Sequence, residues 1–471
     1  MRPLPKRCLV LVPLLAIMVL GEPRYALAQF ETRGSFLANH GPHSIAVGDF
    51  DHDGNLDLAI VCASINTNNV VILLGNGDGT FRQGASYTAP SPESLVAADF
   101  NHDGNLDLAV ANSLDDYVSI FLGAGDGTFR AGPQKPAVPA GASVISSGDF
   151  NNDGDIDLIA VSYQNPCKCI SVLFGNGNGT FQHAINTDPP FEVESIGLGD
   201  FNGDGNLDVV AAGDFTINVL LGNGNGTFQY GASYPSLESP ASIAVADFSG
   251  NGKLDLAVAS ASAVSILMGN GDGTFQAAVD YATNYALSVT TAVLTRSHNL
   301  DLVVANSIFP SGVSVFEGNG DGAFEPGAFY PSTFVGTEYA AVGDFNGDRQ
   351  IDIAYADYEN EGVTVLLNTG VASFSPTTPL SFKKQAVGKT SAPQSVTLTN
   401  TGTSELKIQS MKASAEFAVT STCGARVAPG ADCTISATCS PTKRGAQQGT
   451  ISIIDNASSK PQVIELLGTG T

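Results

Sequence analysis

The chain has 471 residues, which suffices for several domains or for one large repeat architecture with an accessory domain. Its formal net charge is -25, and the acidity is concentrated in residues 29–379, where 8 Lys or Arg stand against 40 Asp or Glu, whereas residues 380–471 contain 9 against 5. An acidic surface of this kind repels phosphate backbones, which argues against nucleic acid as a partner and favours cations.

Residues 1–28 have the pattern of a signal peptide. A basic start precedes an apolar run at residues 8–20, and the triplet Ala26-Leu27-Ala28 is a small-residue cleavage pattern before Gln29. The apolar run is shorter than the roughly 20 residues of a permanent membrane helix, and no later run approaches that length. We therefore expect an exported chain, secreted or held at the cell surface, without a membrane span.

Two sequence segments then recur seven times each. The first, as in DFNGDGNLD, begins at Asp49, Asp99, Asp149, Asp200, Asp247, Val293 and Asp344. The second, as in LLGNGDGTF, ends at Phe81, Phe129, Phe181, Phe228, Phe275, Phe324 and Phe374. Two independent series with one spacing of about 50 residues indicate seven structural units.

Each unit predicts four β-strands. In the first unit, residues 44–48 and 56–60 alternate with the two-residue period of strands, and residues 70–74 and 81–88 supply two more. Asn76-Gly77-Asp78-Gly79 favours a tight hairpin between the last two. Four short strands per unit predict a blade, so we expect a seven-bladed β-propeller, with a linear solenoid as the alternative. Residues 30–38 resemble a fourth strand, and we expect them to complete the last blade.

The aspartate segments have the ligand spacing of a calcium loop. Side-chain oxygens stand at positions 1, 3, 5 and 9, glycine at position 6 can make the sharp turn, and position 7 offers a backbone carbonyl. Turn formation alone explains many Asp, Asn and Gly residues in loops. We take the aspartate at position 9 as the mark of a metal site, because turn chemistry does not require it there. It would close the site, since the glutamate expected at position 12 of an EF-hand is Ile60.

Copies one to four keep the whole pattern, and copy seven keeps most of it. We therefore predict about four or five structural Ca²⁺ ions. The predicted metal residues are Asp49, Asp51, Asp53, Asn55 and Asp57; Asp99, Asn101, Asp103, Asn105 and Asp107; Asp149, Asn151, Asp153, Asp155 and Asp157; Asp200, Asn202, Asp204, Asn206 and Asp208; and Asp344, Asn346, Asp348, Gln350 and Asp352.

Three copies depart from the pattern. Copy five has Asn251 at position 5 and Lys253 at position 7, which predicts a weak site at best. Copy six has Val293 and Thr295 at ligand positions and is expected to be empty. Copy seven has Arg349 where glycine turns the loop, which costs backbone strain and predicts a weaker site.

DFNGDGNLD with a following LLGNGNGTF closely resembles the FG-GAP or VCBS repeat, the blade unit of integrin α-subunit propellers and of many bacterial surface proteins. The resemblance covers roughly residues 30–374 and implies that the aspartate loops bind calcium on one face of the propeller. From Pro379 onward, segments such as LSFKKQAVGKTSAPQSVTLTNTGTSELKI and PGADCTISATCSP look like an ASPM-SPD-2-Hydin-type immunoglobulin-like domain. Its short alternating strands independently predict a β-sandwich. The expected division is signal peptide 1–28, propeller 29–379 and sandwich 380–471.

Six cysteines follow residue 28, in a chain expected to meet an oxidising compartment. We expect a disulfide between Cys423 and Cys433, which bracket a short loop. Cys167 and Cys169 lack the two-residue spacer of metal or redox motifs, so an ordinary loop disulfide or free thiols are expected there.

The sequence contains no GxSxG, HExxH or Walker motif, and we expect no enzymatic activity. His52 and His102, at position 4 of their loops, are expected to face solvent. The expected function is a recognition or adhesion module for an extracellular protein or glycan. A glycan-binding lectin is the alternative, weakened by the absence of Trp, although 12 Tyr remain. An extracellular hydrolase is a further alternative, for which no residue constellation speaks.

Overall fold

The computed structural model of the protein describes residues 30–38, 41–63, 68–163, 168–236, 238, 240–295, 299–333, 335–368, 372–375, 379–400, 406–428, 430–455 and 462–471. Every regular element in these ranges is a β-strand, which confirms the all-β class. The predicted signal peptide lies outside the described residues.

Seven four-stranded antiparallel sheets follow one another along residues 30–368, and we number them 1 to 7. Their first strands are β2 (Pro42–Gly48), β6 (Pro92–Ala98), β10 (Ala142–Gly148), β14 (Ser195–Gly199), β18 (Pro240–Ala246), β22 (Ala286–Ala292) and β26 (Thr337–Gly343). The second strands are β3 (Asp57–Ala63), β7 (Asp107–Asn112), β11 (Asp157–Ser162), β15 (Asp208–Gly213), β19 (Asp255–Ser260), β23 (Asp301–Asn306) and β27 (Asp352–Asp357).

The third strands are β4 (Asn68–Gly75), β8 (Val118–Gly123), β12 (Ile170–Leu173), β16 (Thr216–Gly222), β20 (Ala263–Leu267), β24 (Gly312–Gly318) and β28 (Gly362–Asn368). The fourth strands are β5 (Phe81–Thr88), β9 (Phe129–Ala131), β13 (Ile185–Thr187), β17 (Phe228–Pro235), β21 (Val279–Ala282), β25 (Phe324–Pro331) and, in sheet 7, β1 (Phe30–Leu37). The second strands are almost continuously buried, because each sheet is covered on both sides by its neighbours.

The seven sheets close into a ring. Each of seven hydrophobic cores draws its residues from two neighbouring sheets, and the series ends with a core shared by sheets 7 and 1. In that last core, Ile45 and Leu58 of sheet 1 pack with Ala354 and Val365 of sheet 7. The propeller arrangement is therefore confirmed, and the linear solenoid is wrong.

The N-terminal strand closes the ring, as predicted. β1 pairs with β28 in sheet 7, and Phe30 lies opposite Asn368 as Phe81 lies opposite Gly75 in sheet 1. The assignment of Phe374 to the seventh repeat is wrong, because its strand β29 (Ala372–Ser375) pairs with β31 (Gln394–Asn400) of the domain that follows the ring. Phe30 occupies the position that the repeat pattern gave to Phe374.

The C-terminal residues form a separate two-sheet β domain with its own core. One sheet has the order β29, β31 (Gln394–Asn400), β35 (Asp432–Cys439) and β33 (Phe417–Ser421). The other has the order β30 (Leu380–Ser381), β37 (Gln462–Gly470), β36 (Gly445–Asp455), β32 (Leu406–Ala413) and β34 (Arg426–Val427). Since β29 belongs to this domain, the domain begins before the expected boundary at Leu380.

The predicted disulfide between Cys423 and Cys433 is present and links two chain segments 10 residues apart. Cys169 is also disulfide-bonded, whereas Cys62 and Cys439 are buried free thiols. Cys167 lies outside the described residues.

The ring has two chemically different faces. On the aspartate face lie the turns between first and second strands and the hairpins between third and fourth strands, as shown by the pairing of Gly48 with Asp57 and of Gly75 with Phe81. On the opposite face, called the connection face below, lie the turns between second and third strands and the connections from one sheet to the next. The pairing of Leu37 with Gly362 places Leu37 there.

Candidate metal centre

The seven aspartate segments each lie between the first and second strands of one sheet; six are described in full, and the sixth at residues 293–295 and 299–301. We number them by sheet as loops 1 to 7, at residues 49–57, 99–107, 149–157, 200–208, 247–255, 293–301 and 344–352. All seven therefore lie on the aspartate face.

The aspartate at position 9 is completely buried in every loop and is held by two backbone N–H groups. In loop 1, Phe50 N donates to Asp57 Oδ2 at 2.8 Å and Gly75 N donates to Asp57 Oδ1 at 2.7 Å. The same pair of bonds is made by Asp107, Asp157, Asp208, Asp255, Asp301 and Asp352. This carboxylate fastens the loop to the end of the third strand of its own sheet, so the argument that only a metal explains position 9 is wrong.

Burial makes these carboxylates costly to ionise. It raises the pKa of Asp57, Asp107 and Asp157 to about 6 and that of Asp352 to about 7. The two backbone N–H bonds lower each pKa, but burial outweighs them. A cation beside the carboxylate would favour its ionised form, since an opposite charge within a few Å offsets the cost of desolvation.

Positions 1 and 5 shape the loop through hydrogen bonds to the backbone. In loop 1, Gly54 N donates to Asp49 Oδ2 at 3.0 Å and Asn55 N donates to Asp53 Oδ1 at 2.8 Å. Loop 5 keeps both bonds through Asp247 and Asn251, although it has lost carboxylates. Loop shape therefore survives without the full ligand set, and it does not by itself indicate a metal.

Loop 1 brings three carboxylates together. Oxygens of Asp49, Asp51 and Asp57 lie within 4.8 Å of one another, a spacing that could hold a metal ion. Asp49 Oδ1 is buried and has no hydrogen-bond partner within the described structure. A buried carboxylate oxygen without a partner is costly, and a hard cation that prefers oxygen ligands would satisfy it. The residues of loop 1 thus fit a calcium ion, although Arg82 also reaches Asp51, with its Nη2 2.9 Å from Oδ2.

Loops 2, 3 and 4 have an asparagine at position 3. Its Oδ1 accepts from the position 5 backbone N–H at 2.8 to 2.9 Å, through Asn101, Asn151 and Asn202. The remaining predicted ligands occupy the places seen in loop 1: Asp99, Asp103, Asp107, Asp149, Asp153, Asp157, Asp200, Asp204 and Asp208. These loops offer three carboxylates and one amide, which is an oxygen set that calcium accepts.

Loop 7 shows the strain expected of its arginine. Arg349 has a φ of 68°, the left-handed region that glycine occupies at φ 87° in loop 1. Asp344 and Asn346 still hold the loop through Arg349 N and Asp348 N, and Asp348 N also donates to Asp344. Asp348 Oδ2 is buried without a hydrogen-bond partner in the described part of the chain, so this loop also fits a cation.

Loops 5 and 6 lack part of the ligand set found in loops 1 to 4. In loop 5 the ligand positions hold Asp247, Ser249, Asn251 and Asp255, with Lys253 at position 7. In loop 6, Asp301 keeps its bonds to Leu294 N and Gly318 N although positions 1 and 3 hold Val293 and Thr295.

Position 4 has a role that the sequence analysis missed. His52 Nε2 lies 2.9 Å from Asn105 Oδ1 of loop 2, and His102 Nε2 lies 2.8 Å from Asp155 Oδ1 of loop 3. The hydrogen bond and charge of Asp155 raise the pKa of His102. Both histidines are exposed, as expected, and each also contacts the following loop. The sequence contained a signal for this role, because position 4 is glycine in loops 4, 5 and 7 but His or Asn in loops 1 to 3.

No helix that could cross a membrane occurs in the part of the chain that the structure describes.

Comparison with protein families gives two matches. The model of the FG-GAP-like repeat matches residues 58–110, 99–160, 149–211, 200–258 and 294–355, together more than half of the chain. The model of the ASPM-SPD-2-Hydin domain, described as abnormal spindle-like microcephaly-associated, matches residues 368–463. Comparison with curated protein sequences gives no match.

The solved structures similar to this chain include the following two. A putative 6-phosphogluconolactonase from Bacteroides fragilis NCTC 9343 aligns with a TM-score of 0.50 and 14% identity, over 67% of this chain and 96% of that chain. An Agrocybe aegerita lectin, solved to explain its recognition of non-reducing terminal N-acetylglucosamine, aligns with a TM-score of 0.45 and 19% identity, over 63% and 82%. At such identities the first similarity shows a shared fold alone, and the second supports no conclusion about ligands.

Proposed function

The chain belongs to the FG-GAP-like repeat family and ends in an ASPM-SPD-2-Hydin domain, and from that premise we propose that it is an exported, calcium-stabilised β-propeller that recognises an extracellular partner without catalysis. Secretion or display at the cell surface rests on the signal-peptide pattern of residues 1–28. The absence of an activity rests on the lack of catalytic motifs in the sequence.

The calcium part of the proposal is supported by chemistry on the aspartate face. Loop 1 groups three carboxylates, and both loop 1 and loop 7 bury a carboxylate oxygen that lacks a partner within the described residues. When bound, the ion would supply positive charge and rigid coordination, while the chain supplies positions 1, 3, 5 and 9 and the carbonyl of position 7. Affinities of extracellular calcium modules, about 10⁻⁴ to 10⁻³ M, would suffice outside a cell.

The recognition part rests on one observation, the uneven distribution of exposed apolar side chains. Among the described residues of the ring, nine large apolar side chains are exposed on the connection face, but only Val293 on the aspartate face. The nine are Leu37, Leu114, Tyr163, Phe215, Tyr285, Ile308, Phe309, Val335 and Tyr358. Exposed apolar surface rimmed by polar residues is typical of interaction sites. We therefore place the partner on the connection face.

Calorimetric titration with Ca²⁺ tests the first part. We expect four or five ions per chain and a higher unfolding temperature in millimolar calcium than in chelator. The matched variant replaces position 5 by Asn in loops 1 to 4, at Asp53, Asp103, Asp153 and Asp204. Loop 5 shows that Asn keeps the hydrogen bond to position 7, at 2.8 Å through Asn251, so this variant should fold but lose calcium affinity by about tenfold or more. Equal binding by both proteins, or none by the natural chain, would reject the calcium sites.

Binding of the labelled chain to a glycan array and to cell surfaces tests the second part. Leu114→Ser and Ile308→Ser alter the two halves of the connection face, and we expect at least one to weaken binding by about tenfold, the effect of an interface hot spot. Val279→Ser, at a side chain 55% exposed on the outer strand of sheet 5, is the control and should bind normally. Array binding would indicate a glycan partner, and cell binding alone a protein. Loss of binding in the control only would place the partner elsewhere.

A further inference from the structure

Three hydrogen bonds join loops 1 to 4 into a continuous chain across four sheets. Position 4 of each loop bonds the side chain at position 7 of the next, in the pairs His52 with Asn105 (2.9 Å), His102 with Asp155 (2.8 Å) and Asn152 with Asn206 (3.1 Å). We call these three pairs the interloop clasps.

The clasps coincide with the complete ligand sets. Loops 1 to 4 are the loops with Asp at positions 1, 5 and 9, Asp or Asn at position 3, and glycine at position 6. The series stops at loop 4, where position 4 is Gly203 and has no side chain to continue it. Loop 5, which would be next, has Lys253 at position 7 and a reduced ligand set.

The clasp residues occupy a backbone conformation that favours glycine. His52, His102 and Asn152 have φ of 55°, 59° and 59°, and the same position holds Gly203, Gly250 and Gly347 at φ of 76°, 66° and 74°. Glycine would adopt this conformation at lower cost, so the side chains are kept in spite of strain. Strain kept at one position in three of the loops points to a role for the side chain.

The hairpin of the next sheet covers each clasp. Gly125 lies so close to Asn105 and His52 that a β-carbon there would clash with the amide oxygen, and Gly177 stands in the same relation to Asp155 and His102. Gly127 N donates to Phe50 O, and Gly179 N to Phe100 O, both at 2.9 Å. Neighbouring loops thus share a fixed contact and are not independent surface turns.

We propose that the interloop clasps couple the calcium sites of loops 1 to 4, so that an ion in one loop raises the affinity of the next. Position 4 lies between ligand positions 3 and 5 of its own loop and holds the side chain of position 7 in the following loop, whose carbonyl is a predicted ligand. An ion that orders one loop therefore reduces the ordering cost in its neighbour, which is positive cooperativity. The coupling is reciprocal, because each site changes the other's affinity by the same factor.

The inference rests on the proposed calcium binding, and the test separates the two. We compare the natural chain with the triple variant His52→Gly, His102→Gly and Asn152→Gly, which keeps the backbone conformation found at Gly203. Calcium titration of the natural chain should be cooperative, with the later ions bound about fivefold or more tightly than the first. The triple variant should bind the same number of ions with that ratio close to one.

Two controls make the result specific. Ser91→Gly removes a side chain at φ 45° on the connection face and should leave cooperativity unchanged. His52→Asn reproduces the Asn152–Asn206 pair and should retain the coupling.

A second readout needs no metal. In chelator, amide hydrogen exchange at Asn105, Asp155 and Asn206 should be several-fold faster in the triple variant than in the natural chain. Calcium binding without cooperativity, or cooperativity that survives in the triple variant, would overturn the coupling and leave the calcium sites standing. Absence of calcium binding in the natural chain would instead reject the proposed sites, and equal exchange rates would then also reject the clasps.

Discussion

At the residue scale, the position 9 aspartate serves the fold before any ion is considered. Loop 6 has no carboxylate or amide at positions 1 and 3, which are Val293 and Thr295. Asp301 is still completely buried, and it accepts hydrogen bonds from Leu294 N and Gly318 N, both at 2.9 Å. A sequence pattern cannot distinguish a ligand from such an anchor, because both require a carboxylate at one position. The hydrogen bonds show the anchor role, which is present in all seven loops whether or not the ligand set is complete.

We expect Asp301→Asn to destabilise the protein by about 1 to 3 kcal/mol, equally in calcium and in chelator. An amide presents an NH₂ group to one of the two backbone donors and leaves that donor buried without an acceptor. Urea unfolding in both buffers measures the effect. Asp321→Asn is the control, because the exposed Asp321 accepts Ala323 N through one oxygen that Asn retains, and its effect should stay within about 0.5 kcal/mol. A destabilisation seen only in calcium would contradict the anchor role.

At the element scale, strand β1 decides whether the ring closes. Phe30 is 6% exposed and packs edge to face on Tyr330 of sheet 6, with ring centroids 5.2 Å apart. At the other side, Phe36 packs on Phe81 of sheet 1 at 5.4 Å. One strand from the chain start therefore joins sheets 6, 7 and 1.

We expect Phe30→Ala to cost about 3 to 5 kcal/mol, since it removes a buried aromatic side chain and leaves a cavity at the closure. Thermal or urea unfolding measures the loss. Leu37→Ala, in the same strand at a side chain 72% exposed, should change stability little. Equal effects of the two substitutions would mean that β1 does not hold the ring closed.

At the scale of the whole molecule, two ion pairs among the described residues cross the junction between the first and last sheets, Arg33 with Asp78 and His43 with Glu338. His43 Nδ1 lies 2.7 Å from Glu338 Oε2, joining β2 to β26. Burial acts to lower the pKa of His43, but the hydrogen bond and charge of Glu338, with a contribution from Glu93 of β6, raise it overall. The raised pKa means that the folded ring binds this proton more tightly than the unfolded chain does.

The contribution of this pair should be complete below about pH 6.5, the ordinary pKa of histidine, and should be lost as pH rises through the raised pKa. His43→Gln should therefore cost up to about 1 kcal/mol near pH 6 and less near pH 8. The measurement is the difference in unfolding free energy between the two proteins at each pH in this range. The titration of other groups cancels in that difference. A constant cost for His43→Gln at all pH values would contradict the ion pair.

The repeat, the strand content and the composition of the loops could be predicted from the sequence. Strand alternation, glycine at turns and the spacing of carboxylates are local properties, so the recurring DFNGDGNLD-like and LLGNGDGTF-like segments were enough to predict repeated four-stranded sheets with aspartate loops. The Cys423–Cys433 disulfide could also be predicted, because the two residues are near in sequence.

Features that depend on contacts between distant residues required the folded structure. It confirmed the predicted closing strand at residues 30–37 and removed Phe374 from the ring, because pairing of β1 with β28 joins residues more than 300 positions apart. It also showed that position 9 anchors each loop and that His52, His102 and Asn152 reach the following loop. Those bonds connect residues 53 or 54 positions apart, and their geometry exists only once neighbouring sheets have packed together.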